Sequence, residues 1–154
     1  MKFLVTGGRG FIGSHFVELV LAQGHSVVDI DKMTYASSKT LPWDANENYE
    51  LIKEDISTLK HLPPSDIIVN FAAESHVDNS IESPKVFFES NTRGVFNLLE
   101  LIRGKVYNKP LFVHISTDEV YGDIRQADFS EEDKMLPGNP YSASKAAAEM
   151  FIFS

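Results

Sequence analysis

The sequence predicts an α/β fold, a doubly wound parallel sheet in three layers. Three observations predict it. A short apolar strand runs straight into glycines spaced three apart, and these lead into an apolar helical repeat. Further short strands recur that are nearly continuous in apolar residues, as parallel strands buried on both faces are. Helical patterns with their own start and stop residues separate those strands.

The first strand is Lys2-Phe3-Leu4-Val5, and Thr6-Gly7-Gly8-Arg9-Gly10-Phe11-Ile12-Gly13 follows it. Three of these glycines have separate tasks in a dinucleotide site. Gly7 permits a tight turn with unusual backbone angles. Gly10 removes a side chain that would hold a pyrophosphate away from the backbone. Gly13 lets the helix pack close to the strand. Amides at the helix start then face phosphate, and the helix dipole favours its charge. The helix spans Phe11 to Gln23, with apolar Ile12, Phe16, Leu19 and Val20, and Gly24 suits its C-terminal cap.

A second strand, Ser26–Ile30, delivers Asp31, which lies 18 residues beyond Gly13. That is near the roughly 20 expected of a ribose-binding carboxylate. A carboxylate there accepts from ribose hydroxyls and repels a 2′-phosphate, so NAD is preferred over NADP. The plainer reading of Asp31 is a polar loop residue. Residues 37–49 read as a surface loop, with Trp43 as a packing residue. Tyr49–Lys53 forms a third strand. Asp55 after it either meets an adenine amino group, with Ile56 against the ring, or caps a short helix; both can hold.

Pro63-Pro64 interrupts the chain, and Asp66–Phe71 is a buried central strand. The small residues Ala72 and Ala73 let a cofactor lie close to the backbone. Ser83-Pro84 opens a helix, the hydroxyl as cap and the proline at its first position. This helix runs to Arg103 with Phe88, Val95, Leu99 and Ile102 on one face, and Gly104 ends it. His76 reads as structural or hydrogen-bonding, and the five histidines show no metal-ligand spacing, so no metal is expected. Strand Leu111–Ile115 delivers Ser116-Thr117-Asp118-Glu119-Val120-Tyr121-Gly122, hydroxyls and two acids at the carboxyl end of a strand. The acidic run at residues 130–133 is a solvated surface. Asn139-Pro140 opens a last helix carrying Tyr141 and Lys145, four apart and on one face. A phenol titrates near 10, and a nearby ammonium lowers that value. Tyr141 is therefore a candidate base for an alcohol that gives hydride to NAD.

The 154 residues make one domain's worth of chain. The net charge of −8 argues against a nucleic-acid surface. There is no cysteine, hence no disulfide and no thiolate metal site, which suits a reducing cytoplasm. No signal peptide or membrane span is read. The last helix stops on Phe151-Ile152-Phe153-Ser154 without a cap, so the chain is expected to be part of a longer protein.

The T-G-G-x-G-F-I-G start and the Y-x-x-x-K helix resemble the extended short-chain dehydrogenase/reductase superfamily, with its Rossmann-type sheet. The segments 31–36, 72–78 and 116–122 resemble one branch of it, the dTDP-glucose 4,6-dehydratases. The resemblance covers essentially the whole chain. It implies residues 1–154 as the NAD-binding domain carrying the catalytic residues, with a C-terminal substrate domain missing, and thus little turnover by this chain alone. It implies Tyr141, helped by Lys145, as the base at the sugar 4-hydroxyl. Thr117 would hydrogen-bond that hydroxyl. Glu119 would be the base at C5, and Asp118 the acid at the departing C6 hydroxyl, holding a proton through burial or through Glu119. Ser75, Thr117, Asp118 and Glu119 would touch substrate. The cofactor-binding set is Gly7, Gly10, Phe11, Ile12, Gly13, Asp31, Lys32, Met33, Thr34, Asp55, Ile56, Phe71, Ala72, Ala73, Ser75, Ser90, Tyr141 and Lys145. A homodimer through the helices starting at Pro84 and Tyr141 follows by the same resemblance. The rival readings are a UDP-glucose 4,6-dehydratase, a UDP-sugar 4-epimerase, and an inactive NAD-binding fragment.

Overall fold

The computed structural model describes residues 1–105, 109–122 and 128–154. The chain divides into two compact units. One comprises Met1–Ala72 with Asn97–Ile115, the other Ala73–Phe96 with Ser116–Ser154.

The first unit is built on five strands. These are β1 (Lys2–Thr6), β2 (Ser26–Ile30), β3 (Tyr49–Ile52), β4 (Ile67–Asn70) and β5 (Leu111–His114). All pair in parallel, in the order β3-β2-β1-β4-β5. The order reverses between β1 and β4, which makes the carboxyl end of β1 the topological switch point of a doubly wound sheet. Helix α1 (Phe11–Ala22) follows β1, and Gly24 (φ 76°) turns the chain out of it. Strand side chains alternate between faces. Phe3, Val5, Val27 and Val69 accordingly pack with Val17, Val20 and Leu21 of α1, and Trp43 joins them. Leu4, Val28, Ile30 and Ile68 pack on the other face with Ile56, Leu59 and Leu98. Three layers thus form within this unit. Each such side chain contributes about 1.5–3 kcal/mol by leaving water, so these two faces carry the unit's stability.

The second unit holds α2 (Val77–Glu82), α3 (Pro84–Phe87), a π-helical segment (Phe88–Arg93), a 3₁₀ turn (Asp118–Tyr121) and α5 (Pro140–Phe153). Helix α4 (Gly94–Arg103) begins in it, and its Asn97–Arg103 part belongs to the first unit. The expected single helix from Pro84 to Arg103 is thus interrupted by the π segment. Wider π turns shift the phase of every later side chain, so an apolar face extrapolated at 3.6 residues per turn fails across it. Phe88, expected on the buried face, is 55% exposed, whereas Phe87 and Leu98 are buried. Ser83 sits at the N-cap position of α3 but makes no side-chain cap bond, contrary to expectation; Pro84 fills the first turn as expected. Helix α5 has a full capping box. Asn139 Oδ1 accepts from the Ser142 N–H (2.8 Å), and Ser142 Oγ accepts from the Asn139 N–H (3.2 Å). Among the described residues no helix is long and apolar enough to cross a membrane.

Candidate active site

The glycine turn lies at the switch point of the first unit. Gly7 has φ 70°, and a Cβ on it would stand 2.7 Å from the Ala72 backbone. Only glycine fits there. A Cβ on Gly13 would run into the Gly7 carbonyl, so Gly13 lets the helix close on the turn itself rather than on the strand. At Gly10 an added Cβ would have only the Gly7 oxygen within 4 Å, at 3.3 Å. The turn is otherwise open at that point, which is the room a pyrophosphate needs beside the helix-start amides. Phe11 and Ile12 are exposed. The residues present therefore fit a dinucleotide.

Asp31 leaves the end of β2, is buried, and already serves its own loop. Its Oδ1 accepts from the Met33 N–H (2.7 Å) and the Ser37 hydroxyl (2.8 Å), and its Oδ2 from the Arg9 N–H (3.2 Å). Met33 takes a left-handed backbone (φ 58°), a strained conformation for a side-chain-bearing residue. Lys32 lies 3.9 Å from Asp55, a half-exposed ion pair of little energetic weight. No helix follows Asp55. Its carboxylate accepts from the Ser57 N–H (2.8 Å) and closes a turn instead. Ile56, expected against an adenine ring, is buried among Leu59 and Leu98, and its carbonyl accepts from Asn97 Nδ2 (2.8 Å). Its side chain is core. Phe71 packs on Phe16, with ring centroids 5.3 Å apart. The Thr6 hydroxyl donates to Asn70 Oδ1, and Asn70 Nδ2 meets His114 Nδ1 at 2.9 Å, tying the carboxyl ends of β1, β4 and β5 together.

In the second unit the loaded stretch after β5 is the 3₁₀ turn. Thr117 caps it, its Oγ accepting from the Glu119 N–H (3.3 Å). The two acids therefore lie on a turn and not on extended chain. Glu119 is half-buried and accepts from Asn139 Nδ2 (3.2 Å), whereas Asp118 is exposed. Tyr141 and Lys145 are buried on α5. Burial pushes the Tyr141 phenol above its ordinary value. The nearby Thr117 hydroxyl opposes that, and the charges of Glu119 and Asp118 reinforce it. The phenol thus stands above its ordinary value, opposite to the direction expected of it from the sequence. Lys145 is itself pushed down to about 8 by burial, with the Glu149 charge opposing. Thr117, Asp118, Glu119 and Tyr141 thus come together, which the sequence order alone did not require. A cavity of about 520 Å³ beside them is lined by Ser116, Thr117, Asp118, Tyr121, Phe129 and Glu149, among others. Ser75 is exposed and Ser90 is buried in the π segment.

Sequence reasoning missed the side chains that hold α5. Asn91 Oδ1 accepts from the Glu74 N–H (2.8 Å), and its Nδ2 donates to the Glu74 carbonyl and the Ser144 hydroxyl (2.9 Å each). The Thr92 hydroxyl donates to the Ser144 carbonyl (3.0 Å). A visible signal existed in polar Asn91 and Thr92 within an otherwise apolar helical pattern. Replacing Asn91 by alanine is expected to cost about 2 kcal/mol, since buried amide partners go unsatisfied. Urea unfolding should show a lower midpoint at unchanged slope.

A family model described as GDP-mannose 4,6 dehydratase matches residues 4–154. The low-salt glycan biosynthesis protein Agl12 of Haloferax volcanii is 42% identical over 161 residues, covering 100% of this chain and 51% of its own length. A dTDP-glucose 4,6-dehydratase of Mycolicibacterium smegmatis is 40% identical, covering 99% of this chain and 48% of its own. A crystal structure of DesIV, a dTDP-glucose 4,6-dehydratase from Streptomyces venezuelae with NAD bound, superposes with a TM-score of 0.89 at 39% identity. It covers 98% of this chain and 50% of that one. The chain spans about half the length of the relatives it matches.

Proposed function

The chain belongs to the GDP-mannose 4,6 dehydratase family, and from that premise we propose that it is the NAD-binding, catalytic-residue-bearing domain of a sugar-nucleotide 4,6-dehydratase acting on dTDP-glucose. The observation that carries this reading is the meeting of Tyr141, Thr117, Asp118 and Glu119: the Tyr141 phenol lies close enough to the Thr117 hydroxyl and to both carboxylates to feel each of them. An oxidation needs one base, and a dehydration needs a second base and an acid besides.

NAD, when bound, supplies a hydride acceptor that later returns the hydride. Gly7, Gly10, Phe11, Ile12, Gly13, Asp31, Lys32, Met33, Thr34, Asp55, Phe71 and Ala72 would hold its adenosine and pyrophosphate, Ile56 through its backbone. Ala73, Ser75, Ser90, Tyr141 and Lys145 would serve its reacting end. Tyr141 takes the proton of the 4-hydroxyl, which Thr117 orients. The resulting 4-keto group acidifies C5, and Glu119 removes that proton. Asp118 gives a proton to the departing C6 hydroxyl, and Ser75 helps place the sugar. Bound sugar over the exposed Asp118 would shield that carboxyl from water. The absence of cysteine supports a reducing cytoplasm. Exposed Phe88, Phe96 and Phe151 on the helices from Pro84 and Tyr141 support a homodimer.

The 154 residues alone should turn over little, so the test uses the full-length protein. Asp118→Asn and Glu119→Gln should each cut formation of the 4-keto-6-deoxy product from dTDP-glucose by about 10²–10⁴-fold. Unchanged turnover in both variants, or release of a C4 epimer by the parent, would sink this reading.

A further inference from the structure

Arg9 occupies the variable place in the glycine turn, where a cation would pass for a phosphate ligand. Its side chain is 2% exposed and turned to the protein instead. Nε donates to the Ser38 carbonyl (2.7 Å). Nη1 and Nη2 fork onto the Asp44 carboxylate (2.6 and 3.2 Å), and Nη1 reaches the Tyr49 hydroxyl (3.3 Å). The Arg9 carbonyl accepts from the Ser38 N–H (2.8 Å), and its N–H donates to Asp31 Oδ2 (3.2 Å). The hydrogen bonds to Asp44 hold the guanidinium above its usual value, and the same bonds hold the Asp44 carboxyl below its own. Behind the turn, Asp29 grips the Gly8 N–H and the Tyr49 hydroxyl (2.9 Å each).

Resting on the NAD reading above, we propose that Arg9 is a positioning residue for the adenosine half of the cofactor. By seating Ser38 and Asp44 on the glycine turn, it fixes Ser37 against Asp31. Three donors then occupy the Asp31 carboxylate, two of them on Oδ1 and one on Oδ2. A carboxylate has about four acceptor sites, so Oδ2 keeps room for one more donor, a ribose hydroxyl. Without the fork, the 37–44 loop loses its fastening and the carboxylate its fixed aim. Lysine offers a point charge and no fork, so it replaces Arg9 poorly.

The experiment titrates NAD and ADP-ribose into the chain, comparing the parent with Arg9→Lys and Asp44→Ala. Asp44 is the exposed partner of the pair, so its variant removes the fork without removing a buried side chain, and the melting temperature of each variant is read beside its affinity. Both ligands should weaken by the same factor, about tenfold, because ADP-ribose retains the adenosine end that Arg9 serves. Amide exchange at Ser38 should quicken in step. A merely structural role would lower the melting temperature and leave the affinity of the folded fraction unchanged. A parent that binds, with Asp44→Ala binding as tightly, overturns this proposal alone. A parent that binds neither ligand overturns the cofactor reading and the proposal with it.

Discussion

Tyr141→Phe is expected to cut turnover of the full-length protein about a thousandfold while leaving NAD affinity within about twofold. The change removes one oxygen and keeps the ring. That ring packs edge-on against Phe87, with centroids 6.3 Å apart at 76°, and this packing survives the substitution. The Thr117 hydroxyl keeps its bond from the Glu119 N–H, so the 3₁₀ turn stays capped. What is lost is the phenol oxygen beside Thr117. Since burial holds that phenol above its ordinary value, it is protonated near neutrality, and something must lower it for base catalysis. The oxidised nicotinamide is cationic and would do so. Turnover should therefore rise with pH as the complex's base deprotonates, and Phe should flatten that rise. Turnover within tenfold of the parent would place the base elsewhere.

Asp29→Asn should erase a fall in stability of about 3 kcal/mol between pH 4 and pH 6. Asp29 stands fully buried inside β2, and burial pushes its carboxyl from 3.8 to about 6, the bonds from Tyr49 and Gly8 opposing. The folded chain thus binds this proton more tightly than the unfolded chain. Stability is greatest while both states are protonated, below about pH 4. It declines as pH rises, and the decline is complete above about 6. Asp44 has the opposite sign. Its carboxyl is held below 3.8 by Arg9, so its contribution is present above that value and is lost as pH falls further. The two windows do not overlap. Asparagine can accept from the Gly8 N–H and donate to the Tyr49 oxygen, so the variant keeps the geometry without the ionisation. Urea midpoints over this pH range give the difference between the two proteins. A difference that does not change with pH would show that Asp29 carries no such burden.

The parts legible in the sequence are those dictated by local pattern. The strand–glycine–helix run placed β1 and α1 within a residue, and the apolar runs placed the other strands. Asn139-Pro140 correctly opened α5, because a cap and a first-turn proline act within four residues. The failures are long-range. Asp29 looks like one polar residue in an apolar strand until Gly8 and Tyr49 are seen around it. Arg9 gives no hint of Asp44, 35 residues away. The π segment escaped because the same residues suit an α-helix equally well, and the bonds that Asn91 and Thr92 make there, to Glu74 and Ser144, are to residues distant in sequence. The Ile56 side chain lies in the core and not against a ligand, and a position after a strand does not reveal which way its side chain faces.

The amide of Asn139 does two things at once: Oδ1 starts α5 and Nδ2 steadies Glu119. Fraying of that terminus and wandering of the Glu119 carboxylate are thereby one mechanical event. If Glu119 is the base proposed above, heating that loosens the first turn of α5 would misaim the elimination step well before the chain melts, so dehydration should fade at a lower temperature than the bare oxidation.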